Sequence, residues 1–218
     1  EEIGIDFLVS AFSKAEVDFL TELGVPALKV ASMDLNHDDL LIHIASKNVP
    51  VLLSTGMGST AEIVHAVEVL VDAGADEILL FHCVSQYPTP AEKATLMNIV
   101  GLRKITGLPV GLSDHSLGIT ISLGAIPLGA CAVERHFSLD KTMEGWDHSI
   151  SLEPTEFEEL VKEGKRLQSA IGVDRRRVNE DEIEKRKVFR RSLVYRRNMQ
   201  KGETMTADDI VALRPGTG

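Results

Sequence analysis

The chain holds 218 residues, 44% of them hydrophobic, with a formal net charge of −10. That length suits one large domain, or one domain and a small second one, and the apolar content allows a sizeable core. The charge argues against general nucleic-acid or anionic-membrane binding, although a few local cations and backbone N–H groups can still hold a small anion.

In chain order, strand-like apolar runs fall at 5–9, 27–31, 49–54, 77–83, 109–112 and 130–134. Helical patterns separate them at 14–23, 40–48, 61–73, 91–105 and 117–128, and a longer one follows at 155–171. Six successive βα units imply a parallel sheet with right-handed crossovers. Ser13-x-x-Glu16, Ser59-x-x-Glu62 and Thr89-Pro90-x-Glu92 match the capping box, and Gly24 and Gly74 suit helix C-termini. Six units fall short of the eight at which side chains fill a closed barrel, so the choice is a truncated (β/α)₈ barrel or an open doubly wound sheet.

Polar groups stand at every strand outlet: Ser10; Lys29 with Ser32; Ser54; Ser85 with Tyr87; Ser113 with His115; and Glu134 with His136. A barrel makes them converge on one mouth, which favours a barrel that lacks its first two units. From about residue 173 both charges become dense and apolar residues sparse, as in a solvated, partly helical linker. A strand, a turn and a short capped helix follow, too small to bury a core. The expected organisation is a partial barrel over 1–172, a linker over 173–190 and the start of a small module over 191–218. The chain begins without Met and ends in a turn-like Arg214-Pro-Gly-Thr-Gly218, so it reads as a piece of something longer. Cys83 and Cys131 read as reduced core residues. With no signal peptide and no apolar run near 18 residues, the expectation is a cytoplasmic protein.

Two histidines carry the chemistry. His115 and His136 each end an apolar run just before a helical pattern. Imidazoles from two strand outlets can meet at one metal ion and leave positions open for substrate. The competing view is that each is a packed polar residue. Ser54-Thr-Gly-Met-Gly-Ser-Thr60 joins a strand to a helix through glycines and can cradle a phosphate, or can serve as an ordinary tight turn. Alternation points Lys29 into the barrel, where a cation needs an anion; it is also a candidate Schiff-base lysine. Asp147 lies in the loop after the last strand. His37, His43, His65 and His82 read as structural residues without partners.

Together these motifs resemble the sialic acid synthase family, the N-acetylneuraminate synthases and their legionaminate and pseudaminate relatives. The likeness rests on Ala27-Leu-Lys-Val-Ala-Ser32, Leu53-Ser-Thr-Gly-Met57, His82-Cys-Val-Ser-Gln-Tyr-Pro-Thr-Pro90, Gly111-Leu-Ser-Asp-His115, Val133-Glu-Arg-His-Phe137, Asp147-His-Ser-Ile-Ser-Leu-Glu-Pro154 and Leu213-Arg-Pro-Gly216. It implies a (β/α)₈ TIM barrel followed by an antifreeze-like (SAF) domain. It implies condensation of phosphoenolpyruvate with N-acetylmannosamine or a related 2-acetamido sugar, with release of phosphate. His115 and His136 would bind a divalent ion, Mn²⁺ with Mg²⁺ or Co²⁺ as alternatives, which polarises the sugar aldehyde. Lys29, Ser32, Ser54, Ser113 and Tyr87 would hold phosphoenolpyruvate. Ser10 and Ser85 stand where some members carry Thr and Asn. Asp147 would contact the sugar, and Glu134 adjoins the metal site. Arg214 would reach the active site of the second subunit in a domain-swapped homodimer. Two other readings remain: a Schiff-base aldolase using Lys29, and a non-catalytic carbohydrate-binding fragment. The missing barrel units imply that this stretch alone is inactive.

Overall fold

The structure, a computed structural model, describes residues 4–214; residues 215–218 of the turn-like C-terminal sequence lie outside the described residues. The chain separates into two compact units, Glu1–Ile171 and Gly172–Gly218.

The first unit runs α1 (Lys14–Leu23), β1 (Leu28–Val30), α2 (Asp38–Ala45), β2 (Val51–Ser54), α3 (Thr60–Asp72), β3 (Ile78–Cys83), α4 (Met97–Thr106), β4 (Val110–Asp114), α5 (Thr120–Ala125), β5 (Val133–Arg135) and α6 (Pro154–Ile171). The five strands are parallel and lie in sequence order. A doubly wound sheet reverses its strand order at a switch point, and this one does not. It also curls. At about 4.8 Å per strand, a flat sheet would hold β1 and β5 about 19 Å apart. Yet Lys29 of β1 and Glu134 of β5 bring Nζ and Oε2 to 3.4 Å. The sheet is an arc of a (β/α) barrel. Leu28, Val30, Val51, Leu53, Leu80 and Val110 are fully or almost fully buried, and Val17, Leu40, Leu41, Ile44, Ala66, Leu70 and Ile99 bring the helices onto them.

Several local expectations change. Residues 5–9 form no strand: they are exposed, and only Ser10 pairs, by a single parallel bridge to Lys29. With β1 only three residues long, no ladder exists along that stretch to satisfy more of its backbone. The sheet therefore has five strands rather than six. The helix expected at 91–105 divides into a 3-10 turn, Ala91–Lys93, and α4, because Thr95 adopts a positive φ of 41° between them. The one expected at 117–128 contracts to α5, preceded by Gly118 at φ 71°. Thr89 caps nothing: its Oγ1 donates to the Gln86 carbonyl at 2.7 Å, back into its own loop. Ser59 and Glu62 do form a full box, with Ser59 N–H to Oε2 at 2.7 Å and Glu62 N–H to Oγ at 3.3 Å. Ser13 accepts the Glu16 N–H, but Glu16 answers the N–H of Phe12 instead. Cys83 is buried as expected, whereas Cys131, beside the outermost strand, is exposed.

The four histidines read as partnerless have partners. His37 pairs with Asp34 at 3.5 Å, His43 with Asp18 at 2.8 Å and His65 with Asp38 at 3.0 Å. Buried His82 donates from Nε2 to the Ala94 carbonyl at 2.8 Å. Burial pushes the His82 imidazole below its ordinary pKa, against that bond, and it pushes His115 the same way. Unfolded, each takes up a proton near pH 6.5; folded, each resists. The unfolded state then binds more protons, so stability present above about pH 6.5 is lost as pH falls below it. Thermal melts from pH 8 to 5.5 should show this decline. The decline should be shallower in His82→Gln, which keeps a donor for Ala94 but cannot titrate; equal slopes would refute the assignment.

The second unit opens with α7 (Glu180–Phe189), inside the stretch read as linker, capped where Asn179 accepts the Glu182 N–H at 2.8 Å. Then β6 (Ser192–Tyr195) pairs antiparallel with β7 (Ile210–Leu213). The short capped helix is the 3-10 turn Ala207–Asp209. Asp209 accepts the Thr206 N–H at 3.0 Å and the Arg197 Nε–H at 2.7 Å.

Candidate functional site

Each strand of the arc ends at the same rim. Lys29, second of three residues in β1, points inward and is only 9% exposed. Its ammonium donates to Ser54 Oγ, the last residue of β2, at 2.7 Å and faces Glu134 Oε2 at 3.4 Å. The Lys29 Nζ also stands 5.5 Å above the Phe81 ring of β3. Room for that ring depends on Gly111 in β4, where an added Cβ would lie 2.8 Å from Phe81 Cε1. Ser113 of β4 donates from Oγ to the other Glu134 oxygen at 2.7 Å, and its Oγ lies 3.4 Å from His115 Nε2.

His115 is buried, and its Nδ1 lies 2.9 Å from the Val84 carbonyl. A carbonyl only accepts, so the proton belongs on Nδ1 and the Nε2 lone pair is free. The rings of His115 and His136 lie 5.4 Å apart, with Tyr87 against both at 4.1 and 5.8 Å. Burial raises the Tyr87 phenol pKa above its ordinary value. Asp147, exposed, brings Oδ2 to 3.7 Å from His136 Nδ1.

A second group lies beside Lys29. Ser32 Oγ accepts the Gly56 N–H at 3.1 Å and touches Cys83 Sγ at 3.2 Å. A Cβ at Gly56 would sit 2.5 Å from Ser85 Oγ and 2.7 Å from Ser32 Oγ, so the glycine lets three chain segments meet. An adjoining cavity of about 480 Å³ includes Thr55, Cys83, Ser85 and Gln86 but no Lys, Arg, Asp or Glu. The charged side chains and the two imidazoles of the candidate site stand on the rim instead.

The rim thus gathers Lys29, Ser32, Ser54, Ser85, Tyr87, Ser113, Glu134, His115, His136 and Asp147. Ser10 joins only through its backbone bridge to Lys29. Arg214 is exposed in the second unit. Sequence reasoning gave no role to Asp114 and Arg135, and it read Cys83 only as a core residue. Asp114 and Arg135 form an ion pair at 2.6 Å with side chains 2% and 1% exposed. Two charges inside apolar strand sequences were the available signal. Among the described residues no cluster of three or more His, Cys, Asp or Glu is set to hold a metal, and no helix is long and apolar enough to cross a membrane.

Residues 1–176 match the NeuB family. An uncharacterized protein of Methanocaldococcus jannaschii is 43% identical over all of this chain and 65% of its own length. The N,N'-diacetyllegionaminic acid synthase of Legionella pneumophila is 36% identical over 99% of this chain and 62% of its own. The chain therefore spans a little under two thirds of these curated relatives. The crystal structure of the N-acetylneuraminic acid (sialic acid) synthetase of Leptospira borgpetersenii, in complex with citrate, superposes with a TM-score of 0.80 at 36% identity, over 84% of this chain and 64% of that one. A sequential parallel arc with its polar groups on one rim, matched along its length by such relatives, places this chain in the NeuB family.

Proposed function

We propose that the full-length protein condenses phosphoenolpyruvate with an open-chain 2-acetamido sugar, of which N-acetylmannosamine is the reference. One C–C bond forms between C3 of phosphoenolpyruvate and the aldehyde carbon; one water is consumed and inorganic phosphate leaves. The observation that carries the reading is the continuous Lys29–Glu134–Ser113–His115 chain of contacts across one rim, with His136 alongside.

Lys29 and the hydroxyls of Ser54 and Ser32 supply the cation and donors that a phosphorylated carboxylate requires. Ser85, Tyr87 and the Gly56 loop close around the same end, while Asp147 flanks the sugar end. Glu134 takes contacts from both Lys29 and Ser113, which supports a role for its carboxylate between the two substrates. His115 and His136 suit a divalent cation: the free His115 Nε2, the carbonyl behind its Nδ1 and its lowered pKa are the features of an imidazole ligand. A cation held there, Mn²⁺ in this reading, supplies Lewis-acid polarisation of the aldehyde. The roles of Ser10 and Arg214, the antifreeze-like character of the second unit and a domain-swapped homodimer rest on family likeness.

The test is phosphate release from phosphoenolpyruvate with N-acetylmannosamine and with a panel of 2,4-diacetamido sugars, with and without Mn²⁺ and chelator. Release that needs both sugar and metal supports the reading. Metal-independent turnover with borohydride trapping of Lys29 overturns it in favour of a Schiff base.

A further inference from the structure

We infer that Asp114 and Arg135 are positioning residues that set the spacing of His115 and His136; the inference rests on the metal reading above. The β4–β5 ladder pairs Ser113 with Glu134 and Asp114 with Arg135. That second pair is the last rung, and one residue later each strand delivers its histidine. Alternation sends Ser113 and Glu134 to the rim and Asp114 and Arg135 to the opposite face, under α5.

There the contacts converge. Arg135 Nη1 lies 2.6 Å from Asp114 Oδ2, off the N–H direction, as an ion pair and not a hydrogen bond. Its Nη2 donates to the Ser116 carbonyl at 2.7 Å. The Ser116 N–H donates to Asp114 Oδ1 at 2.8 Å, and Ser122 of α5 donates to the other oxygen. One guanidinium, from the residue before His136, thereby holds both neighbours of His115. On the rim, the Ser113–Glu134 bond also joins the two strands, but through groups that face substrate. The buried pair is the tie that binding leaves untouched.

Stability does not explain it. Arg135 Nε and Nη1 are buried without a hydrogen-bond partner, and an apolar pair is commonly as stable as a buried ion pair. What an apolar pair lacks is direction. Groups that orient a metal-binding imidazole typically alter metal affinity 10- to 100-fold when replaced.

The test uses the full-length protein and two variants. Arg135→Lys keeps a cation beside Asp114 but loses the fork that also reaches Ser116. The double variant Asp114→Asn, Arg135→Met removes both buried charges and so protects the fold. Each is titrated calorimetrically with Mn²⁺ alone, then assayed for kcat and for KM toward phosphoenolpyruvate. We expect Mn²⁺ to bind at least about 10-fold more weakly in both and kcat to fall in step. KM should stay within about twofold, because Lys29, Ser32 and Ser54 stand at the outlets of β1 and β2. Wild-type Mn²⁺ affinity in both variants overturns the inference and leaves the metal reading intact. No Mn²⁺ binding by the wild type overturns both. Mn²⁺ affinity and melting temperature that fall together while KM rises show a merely structural pair, and this also overturns the inference.

Discussion

A His115→Ala, His136→Ala double variant is expected to lose Mn²⁺ binding in calorimetry and about 10⁴-fold in the rate of phosphate release. That factor corresponds to about 5.5 kcal/mol of lost transition-state stabilisation. The size follows from what the two rings leave behind. Among the described residues no third metal-binding side chain completes a cluster, so in our reading removing both imidazoles removes the donors that this stretch of chain offers the metal. Asp147 stands nearest at 3.7 Å from His136, but it is exposed and serves the sugar end in our reading. The fold should survive. His136 is about one third exposed, and the lost His115 contacts are one carbonyl bond and ring packing, on the order of 1–3 kcal/mol. A melting curve separates the two effects. Full Mn²⁺ affinity in a folded double variant would place the metal elsewhere and sink the reading.

Lys29→Met should reduce phosphoenolpyruvate-dependent turnover about 10³-fold, mainly by raising the dissociation constant for phosphoenolpyruvate. Lys29 is the single lysine or arginine among the side chains gathered at the rim of the first unit. Removing a preorganised charge facing an anion costs about two to three decades or more in a water-poor site. Methionine retains most of the aliphatic stem and loses only the ammonium above Phe81, so packing is largely kept. Glu134 loses a partner at 3.4 Å, but its side chain is 44% exposed and water can replace the ammonium. We therefore expect a small change in melting temperature beside a large change in binding. If phosphoenolpyruvate affinity holds while stability collapses, Lys29 is a structural ion-pair residue and the anion site lies elsewhere.

The parts of the molecule legible in the sequence were those set by local rules. The Ser59-x-x-Glu62 box forms because both its bonds lie within one helical turn. Strand outlets were legible because apolar runs end abruptly in polar residues. What failed depended on partners distant in sequence. Residues 5–9 have the composition of a strand and no neighbour to pair with. Thr89 carries the right spacing for a cap, but its hydroxyl finds carbonyls in its own loop first. Lys29 was read as needing an anion; which anion it meets is decided by the curl that brings β5 round to β1. Asp114 and Arg135 were quoted inside motifs and given no role, because nothing in one dimension says that adjacent charges turn away from the rim to meet behind it.

The sequential strand order bears on how the protein is made. Each strand pairs with the next one in the chain, so a ribosome can hand over β1 to β5 in the order in which they dock, and each closure spans little more than one helix. A link that skips the whole sheet is Lys29 with Glu134, from the first strand to the last. Until β5 emerges, the nascent sheet carries an inward cation with no counter-charge and one histidine without its neighbour. Assembly of the rim is thus timed to the last strand of the arc, and the groups that our reading assigns to anion and metal come together only when that strand docks.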